Sequence, residues 1–214
     1  MKLKAILIAI LTCACTISLQ AQKDSHARKV LDRTASLFNT NGIEIKFNLR
    51  TSTNGQNQNS TQGTITLKGN KFHLETPAVT TWFNGTTQWS YLTDSQEVNI
   101  SNPTSEELQS INPYAFIGLY KQGYNYNIGK HKTYKGKAVE EISLHAESPR
   151  QDIQAITLYI NSSNAYPLYI KITDRNKNSS EIEVESLKKG LNLPDNRFVF
   201  DTKQYPNAEI IDLR

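Results

Sequence analysis

A period of two, recurring from segment to segment, constrains this chain more than any other feature. Ile43, Ile45, Phe47 and Leu49 alternate with Glu44, Lys46, Asn48 and Arg50. Successive strand side chains point to opposite sides, so such a segment has one apolar face and one wet face. Ile65 and Leu67, then Phe72 and Leu74, repeat the pattern across a Gly69-Asn70 turn, and Pro77 ends that run. Trp82 stands on one side of Asn84-Gly85, and Trp89 and Tyr91 on the other. That dipeptide reads as a type I′ hairpin, in which both central residues take positive φ. Residues 97–100 form a further short strand. Ile156, Leu158 and Ile160, then Leu168, Ile170 and Ile172, then Ile182 and Val184 carry the period through the second half. Val139, Ile142 and Leu144 follow it less regularly. Residues 51–60 are polar and include Gly55, so they read as a mobile hairpin loop.

Helical signals are few. Ala27, Val30, Leu31, Thr34, Leu37 and Phe38 recur every three or four residues, which is an amphipathic helix with its stripe on a core. Asp24 or Ser25 can cap its start, and Asn41-Gly42 stops it. Pro103-Thr104-Ser105-Glu106-Glu107 has cap and acidic residues in the order of a helix start, and Asn112-Pro113 breaks it. Residues 114–120 form a short apolar turn or two, better suited to a lid than to a core helix.

Ten or eleven strands with two or three short helices predict a mainly β (α+β) fold. A single antiparallel sheet of that size must curl or close. Its apolar face is expected to include Phe47, Phe72, Leu74, Trp82, Trp89, Leu158, Ile170 and Ile172. Short helices cover less of such a face than a second sheet would. The alternation fits either a closed sheet on a packed core or an open one over an apolar cavity.

The first residues read as an export signal. Lys2 and Lys4 precede an apolar run at residues 5–11, and Ser18-Leu19-Gln20-Ala21 supplies the small residues of a cleavage site after Ala21. The run is shorter than the ~20 residues that cross a bilayer as a helix. Cys13 and Cys15 lack a good lipobox context, so a lipid anchor is the less favoured alternative. Both cysteines leave with the signal, and residues 22–214 then form one domain without a disulfide or a thiol nucleophile. The net charge of +4 is not that of a nucleic-acid-binding chain.

Catalytic signatures are lacking. His26, His73, His131 and His145 make no ligand pair at helical or strand spacing. Glu140 and Glu141 fall on opposite faces of a strand, and neither a G-x-S-x-G elbow nor a Gly-rich phosphate loop occurs. Nothing in the residues argues for catalysis, so the expectation is a protein that is not an enzyme and carries no cofactor.

In order and spacing, the segments resemble the outer-membrane lipoprotein carrier family of LolA-like periplasmic chaperones. Asn84-Gly85-Thr86-Thr87-Gln88-Trp89-Ser90-Tyr91 is similar to that family's D-G-[KT]-T-x-W-x-Y hairpin. Residues 114–120 resemble its short lid helix, and Phe198-Val199-Phe200 its final F-x-F strand. The resemblance implies an unclosed half-barrel whose helices roof an apolar cavity. It implies a monomeric periplasmic carrier that takes acylated lipoproteins from an inner-membrane lipoprotein-releasing transporter to an outer-membrane acceptor. A receptor or insertion factor of the same fold is the alternative. Expected acyl-chain contacts are Phe47, Phe72, Leu74, Trp82, Trp89, Tyr91, Tyr114, Ile117, Leu158, Ile170 and Ile172. Lys68 stands where family members often place a lid-latching arginine, although an ammonium lacks the planar guanidinium fork.

Overall fold

The computed structural model describes residues 23–38, 42–104, 107–108 and 115–214, the first three of the last span by their backbone alone. Thirteen strands form one unclosed sheet: β1 (Ile43–Thr53), β2 (Gln56–Lys68), β3 (Lys71–Glu75), β4 (Val79–Phe83), β5 (Gln88–Leu92), β6 (Glu97–Ser101), β7 (Tyr124–Ile128), β8 (Lys132–Tyr134), β9 (Lys137–Ala146), β10 (Ile153–Asn161), β11 (Pro167–Asp174), β12 (Ser179–Lys189) and β13 (Glu209–Asp212). Their spatial order is β13-β6-β5-β4-β3-β2-β1-β12-β11-β10-β9-β7, with β8 also on β9. The architecture is the expected open half-barrel. Among the described residues its helical part is α1 (Ser25–Leu37), a helical turn at residues 107–108, and short 3-10 segments at Ala115–Lys121, Asp195–Phe198 and Thr202–Gln204.

Asp24 begins α1 by accepting hydrogen bonds from the amides of His26 and Ala27, which satisfies donors that a helix start leaves open. Its carboxyl is held below the usual range, chiefly by the Ala27 bond. Asp24 also finishes the sheet. Its amide donates to the Tyr126 carbonyl and its carboxylate accepts from the Ile128 amide, so part of the β7 edge is capped. Ala27, Val30, Leu31 and Thr34 are buried as the stripe predicts, and the Thr34 hydroxyl donates to the Ala165 carbonyl at 3.1 Å. The expected stop at Asn41 lies outside the described residues. Gly42 is required for another reason: a Cβ there would stand 2.3 Å from the Leu191 carbonyl oxygen.

Two turns differ from expectation. Residues 51–60 are not a loop, because β1 runs to Thr53 and β2 starts at Gln56. The reversal is Asn54-Gly55 alone, with φ of 50° and 81°, the two positive values a type I′ turn needs. Asn84-Gly85 instead belongs to a four-residue connection. Only Gly85 has positive φ there, and the Asn84 side chain accepts from the amides of Thr86 and Thr87. The sheet is antiparallel as expected except at one edge, where β13 pairs parallel with β6. The expected F-x-F strand does not form. Phe198 ends the Asp195–Phe198 3-10 segment, and Phe200 lies outside any strand.

Register shows how apolar rows cross the sheet. Leu49, Ile182, Ile170, Leu158, Ile142 and Ile128 lie opposite one another on six successive strands. Phe83, Phe72, Leu67 and Ile43 form a second row on β4 to β1. These residues share one core with Ala27, Val30 and Leu31 of α1, and this is the inner face. Phe47 belongs to it and lies over Gly63, where a Cβ would meet the ring at 2.5 Å.

Candidate functional site

The chain crosses its sheet twice. Leaving β6 near one edge, it re-enters at β7 on the other, and of the residues between them Leu108, Leu119 and Tyr120 lie on the inner face. The traverse begins with a capping box: the Thr104 amide donates to the Glu107 carboxylate at 2.7 Å, and the Glu107 amide to the Thr104 hydroxyl at 3.3 Å. Leu108 and Leu119 pack half-buried on the inner core, and Tyr120 is buried in it. The Tyr120 hydroxyl donates to Asp32 Oδ1 at 2.5 Å, tying Ala115–Lys121 to α1. Burial and the Asp32 carboxylate raise the Tyr120 phenol above its usual range, so it stays a donor.

The second crossing covers the outer face. From β12 at the middle of the sheet, residues 190–208 run beneath β1 to β5 and end in β13 beside β6. Lys68 Nζ donates to the Leu193 carbonyl at 2.7 Å and to Asp195 Oδ1 at 2.8 Å, and Lys71 reaches Asp195 Oδ2 at 2.9 Å. These two ammonium groups lower the Asp195 carboxyl to about 2. Arg197 reaches the Thr66 hydroxyl, and Phe198 is fully buried. Phe200 and Tyr205 meet Trp82 edge-on at centroid distances of 5.4 and 5.5 Å, and Tyr205 lies 4.6 Å from Tyr91.

The residues expected on a single apolar face therefore divide. Phe47, Phe72, Leu158, Ile170 and Ile172 are buried together on the inner face, with Leu74 half-buried beside them. Trp82, Trp89 and Tyr91 form a second cluster with Val98, Ile100, Phe200 and Tyr205. Strand parity explains the separation. Phe72 pairs with Phe83 and His73 with Trp82, so Trp82 projects from the face opposite Phe72. Tyr114 lies outside the described residues, and Ile117 is placed by its backbone in Ala115–Lys121. Lys68 binds the outer crossing. The Tyr120–Asp32 pair was not foreseen; only the inner crossing brings Tyr120 to Asp32.

Beneath the outer crossing, His73 is 7% exposed and stacked on Trp82 at 5.2 Å. Among the described residues its Nδ1 has no hydrogen-bond partner, nor has the buried Nε of Arg197. Burial first, then the Arg197 charge, lowers the imidazole to about 4. Among the described residues, no group of three or more His, Cys, Asp or Glu is placed to hold a metal ion, and no helix is long and apolar enough to cross a membrane.

An open half-barrel with an extended apolar inner face, crossed there by a short helical segment, is the class of fold this chain adopts. The family described as "Outer membrane lipoprotein carrier protein LolA" matches residues 17–176, and the chain belongs to that family. No protein of curated function matches it. Among solved structures it is similar to an uncharacterized conserved protein from Thermus thermophilus, at 13% identity and a TM-score of 0.60, over 87% of this chain and 99% of that one. It also matches a DUF1329 family protein from Desulfovibrio piger, at 10% identity and a TM-score of 0.49, over 83% and 98% of the two chains. A LolA superfamily protein from Nitrosomonas europaea matches at 13% identity and a TM-score of 0.45, over 81% and 97%.

Proposed function

We propose that this protein is a periplasmic lipoprotein carrier, exported by a cleaved signal at residues 1–21, whose residues 22–214 act as one domain and a monomer. It takes acyl chains against the inner face and releases them at an acceptor, with no covalent step. The observation that carries this reading is the inner face itself: apolar rows run strand to strand from β4 to β7, under one α-helix and one crossing segment. Family membership supplies the ligand class. The proposed acyl contacts are Phe47, Phe72, Leu74, Leu158, Ile170 and Ile172, with Tyr114 and Ile117 contributed by the crossing. Trp82, Trp89 and Tyr91 are left out because their face is covered by the outer crossing. The Tyr120–Asp32 hydrogen bond is the latch of the inner crossing in this reading, and Lys68 clasps the outer one.

Each acyl methylene removed from water contributes about 0.8 kcal/mol, so a few methylenes suffice for useful affinity. Release requires the bound arrangement to be only slightly preferred, which one opening hydrogen bond allows. The experiment compares an acylated lipoprotein peptide with the same peptide lacking its acyl chains, by fluorescence anisotropy. The acylated form is expected to bind at least ~10-fold tighter. Leu74→Glu should remove that advantage, because Leu74 is only half-buried and its replacement leaves the packed core in place. Equal affinity for the two peptides overturns the proposal.

A further inference from the structure

The β8–β9 hairpin at residues 129–139 carries Lys130, Lys132, Lys135 and Lys137 and no acidic residue. These four lysines hold the whole charge excess of the chain: without them, 20 Lys and Arg face 20 Asp and Glu. All four are exposed. Lys132 pairs with Glu141, and Lys135 with Glu183 at 2.9 Å. Lys130 and Lys137 have no ion-pair partner among the described residues.

Beside the lysines lies an aromatic shelf. Tyr159 and Tyr169 stack across β10 and β11 at 4.9 Å, and Tyr134 at the hairpin end closes on them at 5.2 and 5.8 Å. Lys132 Nζ lies 4.1 Å above the Tyr159 ring and donates to its hydroxyl. All three tyrosines are half-buried. Arg50 and Lys171 extend the patch along β1 and β11, where Glu181 and Glu183 face them. The patch as a whole has six cations against three carboxylates, Glu141, Glu181 and Glu183.

We infer that this hairpin and its tyrosine shelf form a docking patch for an anionic phospholipid surface. Amphipathic tyrosine rings suit the headgroup layer. Lysines held near a negatively charged bilayer are each attracted by an amount that multiplies the partition coefficient about five-fold. The patch lies on the outer face and at the β9 edge, away from the inner apolar rows. The inference therefore stands apart from acyl-chain carriage and needs no cargo.

The experiment uses the full mature chain and sedimentation with vesicles of phosphatidylcholine, with and without phosphatidylglycerol. Binding is expected only to vesicles containing phosphatidylglycerol, and should weaken as ionic strength rises. The double variant Lys130→Gln/Lys137→Gln is expected to lower the partition coefficient about 25-fold. Both side chains are exposed and unpaired, so its melting temperature should match the parent's. Lys130→Arg/Lys137→Arg should retain binding, and Lys203→Gln, on the outer crossing, should change it less than about two-fold. Three results overturn the inference: no preference for phosphatidylglycerol, undiminished binding by the glutamine variant, or complete competition by millimolar glycerol phosphate, which would indicate a pocket for a free headgroup instead of a surface.

Discussion

The two crossings of the sheet are held in different ways. On the outer face, residues 190–208 are fixed by a buried phenylalanine, two lysines on one aspartate, an arginine on a threonine and an aromatic cluster around Trp82. Among the described residues of the inner crossing, side chains meet the rest of the fold at Asn102, which accepts from the Thr87 hydroxyl, at the half-buried Leu108 and Leu119, and at Tyr120, bonded to Asp32 of α1 and edge-on to Tyr126. The outer segment closes an apolar patch permanently. The described part of the inner one is tied to α1 through the single Tyr120–Asp32 hydrogen bond, the kind of attachment that the proposed carrier role would need to open.

The sharpest way to break this contrast is Phe198→Ala. Removing a fully buried ring should cost about 3–5 kcal/mol in urea unfolding. A loss below about 1 kcal/mol would mean the outer crossing is as loosely held as the inner. Next comes His73. Its folded value near 4 lies below the ordinary ~6.5, so between those values the unfolded chain binds more protons. Stability should therefore fall as pH drops from about 6.5 to 4, by up to about 3 kcal/mol, and His73→Phe should flatten that slope. Glu75 lies 3.7 Å from Nδ1 and offsets part of the effect. On the inner side, Tyr120→Phe should cost about 2 kcal/mol and speed amide exchange in residues 118–121. Exchange in 195–198 should not change. The smallest effect belongs to Lys68→Met. Its partner Asp195 is largely exposed and keeps Lys71, so the melting curve should move by less than about 1 kcal/mol.

Much of the inner face was legible in the sequence, because one-sided strands repeat every second residue and Ile170, Ile172, Leu158 and Phe72 obey that rule. The arrangement failed to show wherever both faces are alike. Beyond Leu49 and before Ile65, β1 and β2 are wet on both sides, so the hairpin at Asn54-Gly55 resembled a loop. In β4, Thr81, Trp82 and Phe83 are all buried, and adjacent large side chains do not say which one faces α1. Register across the turn at residues 76–78 decides it, since Phe72 opposite Phe83 forces Trp82 to the other side. β13 gave no signal, because its parallel pairing with β6 joins segments far apart in sequence. The carboxylate of Asp32 and the hydroxyl of Tyr120 are 88 residues apart, and no local pattern links them.

One consequence of the outer crossing concerns the order in which the chain is made. Synthesis delivers the tryptophan patch on β4 and β5 about a hundred residues before the phenylalanines and tyrosine that cover it. Until then the growing polypeptide carries a bare greasy surface next to the open edge of β6 that β13 later pairs. The stretch at residues 198–205 acts as a built-in seal, and a nascent chain halted before Phe198 would be the species most in need of a holding chaperone.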